Sequence, residues 1–267
     1  MRPYRLWNRT TAQVSPPPLV WKALQLVRGA SVADVGCGPG TYGYLLRTGW
    51  GHTESWLEQG ITTPGRLYGM DNSARAAAPA RRHRIYDRLD ICPATALVLG
   101  DRAVDTALCT ETVEHLYPAD VVPAVRELAR IAAQRVVITT PAPELIVDHA
   151  FLLQEIAEAR EDGDPMPREE YEVLESALHK SWLSSERMAA AGFETAGEVI
   201  CGSRIYHADP GKIDAEALGE VPGTARPAGP GADDGPGGDH RARYVALLES
   251  VREMAEAVPG LARGAGR

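Results

Sequence analysis

Phenylalanine is nearly missing from this chain, with 2 among 267 residues. A ligand pocket lined by aromatics must draw on tryptophan and tyrosine instead, and Trp56, Tyr117, Tyr171 and Trp182 are available. Lysine is scarce as well, 3 against 25 arginines, a bias of high-GC coding that says little about function. Cysteine is limited to positions 37, 92, 109 and 201, and no pair has metal-ligand spacing. That excludes a disulfide framework and suits reduced thiols in a cytoplasmic protein. No apolar run approaches the roughly 18 residues of a membrane helix. The opening "MRPYRLWNRTTAQVSPPP" lacks the apolar centre of a secretion signal. No internal repeat is visible.

Charge is present but unevenly spread. The net charge is −8, yet residues 1–90 carry about +6 and residues 91–267 about −14. The acidic C-terminal half, without any basic-aromatic module, argues against a nucleic-acid track. The short basic run "RRHR" at 81–84 reads more simply as a solvated helix face.

Apolar runs and helical spacings alternate along the first half. Helical spacing covers 19–27 and 41–47; strands are expected at 31–36, 66–71, 105–109 and 135–140; helices at 112–117 and 118–133. Strands alternating with helices predict an α/β fold with a parallel sheet covered on both faces. Residues 48–65 exceed an ordinary link and read as an insertion. Residues 144–178 read as two helices around "EDGDPMP", a helical lid insertion. "SSERMAAAGF" reads as a helix capped by Ser184 or Ser185, and 198–208 supplies one or two last strands. The 21 residues 219–239 hold 7 glycines and 4 prolines, the composition of a disordered linker. Residues 241–258 form an amphipathic helix, placed to dock back or to reach a partner. The expected division is an N-terminal cap segment at 1–29, a main domain at 30–210, a linker at 211–240 and a helical tail at 241–267.

"VADVGCGPGTYGYLLR", 32–47, is the most informative stretch. Gly38, Gly40 and Gly43 fit a dinucleotide GxGxxG pattern, and Gly36, Gly38 and Gly40 fit a GxGxG turn preceded by an acid. The strand runs straight into Gly36, so the turn begins there and Gly43 already lies in the helix. Asp34 then stands at the strand's carboxyl end, facing the ligand, where an acid suits a cation better than a pyrophosphate. Alone, Asp34 reads equally as a strand-end cap and Asp71 as a turn residue. Two acids on consecutive strands around one glycine turn favour a ligand.

The stretch resembles the first motif of class I S-adenosylmethionine (SAM)-dependent methyltransferases, and the likeness runs over roughly residues 30–195. The likeness implies a Rossmann-like, doubly wound α/β fold with a mostly parallel seven-stranded sheet and a helical lid insertion. It implies that Asp34, Gly36, Cys37, Gly38 and Gly40 cradle the methionine end of SAM. It also implies that Asp71, with Asn72 beside it in "YGMDNS", receives the ribose hydroxyls. Thr110 would border the same pocket. The sequence departs from the family in the insertion at 48–65 and at the adenine acid, whose position falls at Cys92 or Pro93. Backbone around Ile91 and Cys92 would then read the adenine.

"CTETVEHLYP" follows the fourth expected strand, and on a helix Glu111, Glu114 and His115 share one face. A histidine here in the family often only packs or bonds to backbone. The pattern ExxEH with a distal histidine, His179, also resembles metal-bearing small-RNA 2′-O-methyltransferases and ubiquinone-pathway O-methyltransferases. That resemblance implies Glu111, Glu114, His115 and His179 as ligands of Mg²⁺ or another divalent cation. Without metal, His115 would act as general base with help from Glu111 or Glu114. His149 is a further candidate, more simply a helix-start residue of the lid. The expected function is O-methylation of a small hydroxylated metabolite. The alternatives are an RNA 2′-O-methyltransferase, a SAM-fold partner protein without transfer activity, and a nicotinamide-dependent oxidoreductase.

Overall fold

The computed structural model describes residues 15–49, 65–142, 149–226 and 238–257. Trp56, nearly all of the insertion expected at 48–65, residues 1–14 of the N-terminal segment and the last ten residues of the tail lie outside them.

The apolar runs expected at 31–36, 66–71, 105–109 and 135–140 became strands. β1 (Ser31–Val35), β2 (Arg66–Asp71), β3 (Arg88–Ile91), β4 (Val104–Thr110) and β5 (Ala132–Pro141) lie parallel. β6 (Glu194–Thr195) and β7 (Ser203–Ala208) complete one seven-stranded sheet in the order β3-β2-β1-β4-β5-β7-β6, with β7 antiparallel to β5 and β6. The order reverses direction at β1 and β4, which opens a crevice at their carboxyl ends, where such sheets bind ligands.

Helices cover both faces. α1 (Pro17–Leu24) and α2 (Thr41–Arg47) bury Leu19, Leu24 and Leu46 against Val32, Leu67, Leu108 and Val137. α3 (Ala78–Arg82) is a short helix leading towards β3, and its Ala80 joins that cluster. On the opposite face α4 (Pro118–Ile131) and α7 (Ser185–Ala190) pack Val125, Leu128 and Met188 against Val35, Ala107 and Ile138. Ser184 caps α7, its hydroxyl accepting from the Arg187 backbone at 3.4 Å.

The lid segment contains the two helices read from sequence, α5 (His149–Glu161) and α6 (Arg168–Ala177). They have a core of their own, closed by α8 (Arg241–Ala257): Leu152, Ile156, Leu174 and Trp182 pack with Tyr244, Leu247, Leu248 and Val251. The tail helix therefore docks back, and the three helices form a cap.

Two expectations need correction. Residues 112–117 are not a helix; only Val113–His115 make a single 3₁₀ turn. Pro118 starts α4 and holds Tyr117 extended, at ψ 150°, so no helix can run through the junction. The linker expected at 211–240 is not irregular throughout. Pro210–Lys212 and Ala215–Leu218 are 3₁₀ turns, and Leu218, Val221 and Thr224 are buried. Gly223 bridges to Ser181, which ties the segment to the chain leaving the cap. Residues 227–237 of that linker lie outside the described residues.

Candidate active site

The crevice begins at the turn after β1. The backbone N–H groups of Gly36 and Cys37 both donate to the Met70 carbonyl, at 2.8 and 3.1 Å, so the turn is fastened to β2. Gly36 sits at φ 75°, where a Cβ would meet the Thr112 hydroxyl at 2.2 Å. A Cβ on Gly38 would meet nothing within 4 Å, which leaves space over the turn for a ligand. Gly40 starts α2 from a left-handed conformation, and Gly43 lies inside that helix as expected.

Asp71 ends β2 beside the turn. Its Oδ2 accepts from the Gly38 N–H at 2.8 Å and its Oδ1 from the Ser73 N–H at 2.7 Å. Burial raises its pKa, and those two bonds oppose the rise. Asn72 is exposed next to it. Cys92 follows β3 and donates its N–H to the Asp71 carbonyl at 3.0 Å, with Ile91 exposed beside it. Thr110 closes β4 and is buried. The residues expected to hold SAM thus gather along the carboxyl ends of β1, β2, β3 and β4.

Asp34 differs from expectation. It does not face open space: it is 2% exposed, and Oδ2 accepts a hydrogen bond from the Tyr86 hydroxyl at 2.5 Å. Burial pushes its carboxyl up to about 6; the Tyr86 bond opposes this and the Asp71 charge adds to it. Tyr86 escaped the sequence reading because it stands 52 residues from its partner.

The second cluster lies on the 3₁₀ turn after β4. Glu114, His115 and His179 bring one donor atom each to within 4.8 Å of one another. Glu114 is 1% exposed; the Thr140 hydroxyl approaches its carboxylate, but neither oxygen has a well-formed hydrogen bond among the described residues. Burial, together with the negative Glu111, holds its pKa well above the usual carboxylate range. His115 Nδ1 lies 3.1 Å from the Leu178 carbonyl, so that nitrogen carries the proton and Nε2 keeps its lone pair, 4.0 Å from Glu114 Oε1. Burial lowers His115 to about 3 and His179 to about 4, so both imidazoles are neutral at neutral pH. The chain leaving the cap is stitched to this turn, because the N–H groups of Lys180 and Ser181 both donate to the Glu114 carbonyl.

Glu111 does not join this cluster, which corrects the four-ligand set. It sits in the left-handed region at φ 46°, a strained position for a residue with a side chain. Its N–H donates to the Thr139 carbonyl at 2.9 Å, and its Oε2 accepts from the Ser203 hydroxyl at 2.9 Å. Without a helix at 112–117, the shared face expected for Glu111 and His115 does not exist. Glu111 is therefore not placed to assist His115.

A carboxylate and two neutral imidazoles suit a divalent cation, and three protein ligands leave coordination positions open. The unpartnered Glu114 oxygens fit that group, since a buried carboxylate without a partner is costly. The pocket aromatics are placed otherwise than expected. Tyr171 and Trp182 are buried in the cap core, and Tyr117 donates its hydroxyl to Glu175 at 2.5 Å. The side chain of His149 lies outside what is described.

Residues 33–138 match the sequence model of a family described as a methyltransferase domain. A SAM-dependent methyltransferase from Mesorhizobium loti superposes with a TM-score of 0.46 at 16% identity, covering 76% of this chain and 96% of its own. The magnesium protoporphyrin IX methyltransferase of Synechocystis, with bound SAM, superposes with a TM-score of 0.39 at 16% identity, covering 77% and 81%. No curated protein matches the chain. No helix among the described residues is long and apolar enough to cross a membrane.

Proposed function

We propose that this chain, whose residues 33–138 match a methyltransferase domain, is a class I SAM-dependent methyltransferase that methylates a hydroxyl of a small metabolite, with a divalent cation held by Glu114, His115 and His179. The observation that carries this reading is the convergence of those three donors beside the cofactor crevice, with both Glu114 oxygens unpartnered.

In the transfer, a substrate oxygen displaces the thioether in line. The O–CH₃ bond forms as the S–CH₃ bond breaks, and its electron pair returns to sulfur, leaving neutral S-adenosylhomocysteine. The substrate hydroxyl must lose its proton. A bound cation would supply the acidity for that loss. The chain's own residues contribute geometry: the Leu178 carbonyl fixes the His115 ring, and the backbone of 180–181 fixes the turn carrying Glu114. Asp71 and the Gly36–Gly40 turn orient the cofactor. A small substrate accords with the acidic C-terminal half of the chain, which disfavours a polyanion.

The test is turnover, followed by methyl transfer from labelled SAM to candidate hydroxylated substrates. Exhaustive chelation should abolish it, and Mg²⁺ or Mn²⁺ should restore it, while SAM binding persists throughout. Undiminished turnover after chelation would refute the metal.

A further inference from the structure

Four arginines at one edge of the sheet lack a counter-charge. Arg75, Arg81, Arg82 and Arg84 are exposed along the crossover that carries α3, four like charges within ten residues. None makes an ion pair among the described residues, because the acids nearby are taken: Asp87 by Arg47 at 2.9 Å and Asp90 by Arg88 at 2.7 Å. The crossover leads into β3, the outermost strand, so no further strand covers this side. Like charges held together without a partner repel one another, and an anionic surface laid over them removes that cost.

The cap has the opposite imbalance. Glu161 ends α5, Asp164 follows it, and Glu169 and Glu170 open α6, again four like charges within ten residues. They too make no ion pair among the described residues, since the arginines nearby are engaged: Arg168 with Glu172 at 2.7 Å, Arg241 with Asp162 at 3.5 Å, and Arg160 with Glu249. Glu169 and Glu170 favour the start of their helix. Glu161 stands at the negative end of the α5 dipole, so its charge does not serve its own helix.

We propose that the α3 edge of one molecule docks on the acidic corner of the cap of a second copy of this chain, in a head-to-tail contact. The chain itself carries two patches of matching size and opposite sign, so a second copy satisfies both at once. A contact between two different patches continues beyond a pair unless the rotation closes a ring. The net charge of −8 sets two copies against each other at long range. At about 0.1 M salt the Debye length is about 10 Å, which screens that repulsion while charges in contact still attract. At about 1 M it is about 3 Å, and the attraction is lost as well. Charge pairs govern partner choice and approach rate more than affinity, so the association should be weak and concentration-dependent.

The experiment is sedimentation velocity on the full chain, over a concentration series at both salts. The parent should grow heavier with concentration at about 0.1 M salt and sediment as a monomer at about 1 M. Arg81→Glu with Arg82→Glu, and separately Glu161→Lys with Glu169→Lys, should each be monomeric at both. The second pair turns two acids into two bases and takes the net charge from −8 to −4, so association governed by total charge would instead strengthen. Parent-like thermal melting of both variants separates a lost contact from a lost fold. Mixed together, the two variants retain one intact contact, the unaltered cap of the first on the unaltered α3 edge of the second. They should form a pair and stop there. A parent that stays monomeric up to about 1 mM, variants that still associate, or a mixture that stays monomeric would overturn the proposal. So would a parent that is monomeric alone and shifts only with added heparin, since the basic face would then serve a foreign polyanion.

Discussion

The backbone N–H of Gly38 donates to Oδ2 of Asp71 at 2.8 Å, joining the glycine turn after β1 to the acid that ends β2. With Ser73 on the other oxygen, the carboxylate is oriented before a ligand arrives. Each oxygen keeps a second lone pair, enough for one ribose hydroxyl apiece. Asp71→Ala removes both the acceptors and the anchor of the turn. SAM affinity should fall by about 1.5–3 kcal/mol for each charge-assisted bond lost. Titration calorimetry checks this, and parent-like affinity would mean that the ribose binds elsewhere.

Much of this crevice was legible because its signals are local. "SVADVG" and "RLYGMD" are apolar runs ending in a glycine turn or an acid, and they became β1 and β2. Where long-range contacts decide, the sequence misled. Glu111 has helical spacing to His115, but Thr139 and Ser203 hold it in a left-handed conformation, and Leu116 and Tyr117 are extended ahead of Pro118. The glycine and proline count of 219–239 concealed Val221 and Thr224, which pack into the body of the protein. β3 is four half-exposed residues, too short and too polar for periodicity to reveal. Tyr86 has no local signature, because its ring is accommodated by glycines in two other elements.

Glu114 offers a test that does not depend on the substrate. Its buried, unpartnered carboxylate is destabilising in the metal-free protein and becomes favourable when a cation binds. Glu114→Gln should change metal-free stability little, because burial already keeps the Glu114 carboxyl protonated. Mn²⁺ or Zn²⁺ should raise the melting temperature of the parent and leave Glu114→Gln unmoved. His179→Ala should lose the same shift while still binding SAM. Differential scanning fluorimetry with and without metal reads all three, and an equal shift in the variants would place the ion elsewhere.

Asp34 predicts a pH effect of definite sign. Its pKa rises from 3.8 to about 6 on folding, so the folded protein holds this proton more tightly than the unfolded chain. The resulting stability is complete below about 4 and is lost as pH rises through 6. The loss amounts to about 3 kcal/mol at 1.4 kcal/mol per pKa unit. Asp34→Asn removes the titration and keeps an acceptor for Tyr86. Urea unfolding of both proteins at pH 4.5 and 7.5 should show the parent losing stability relative to the variant at the higher pH. A constant difference between them would mean that Asp34 is ionised normally.

The cap should fail separately from the sheet. Leu248 is fully buried in α8, in a cluster whose other members come from α5, α6, α8, the loop between α5 and α6 and the chain just beyond α6. Polar contacts seat α8 on the cap: the His240 N–H donates to the Met166 carbonyl at 2.8 Å, the Met166 N–H to Asp239 at 3.2 Å, the Arg241 guanidinium to the Ala159 carbonyl at 3.0 Å, and the Tyr244 hydroxyl to Glu155 at 3.4 Å. The Arg160–Glu249 pair on the surface contributes little. Leu248→Ala leaves a cavity costing about 2–5 kcal/mol, drawn mostly from the cap's own core. Residues 178–181 leave the cap and deliver His179 and the Leu178 carbonyl to His115, so a loosened cap should misplace both. The cofactor turn and Asp71 lie in the sheet and should be spared. SAM affinity should stay within about twofold, a small energy on the 1.4 kcal/mol-per-decade scale, while turnover falls and protease cuts α5, α6 or α8 before the sheet domain. Loss of SAM binding together with a single lowered unfolding transition would show instead that cap and sheet fold as one unit.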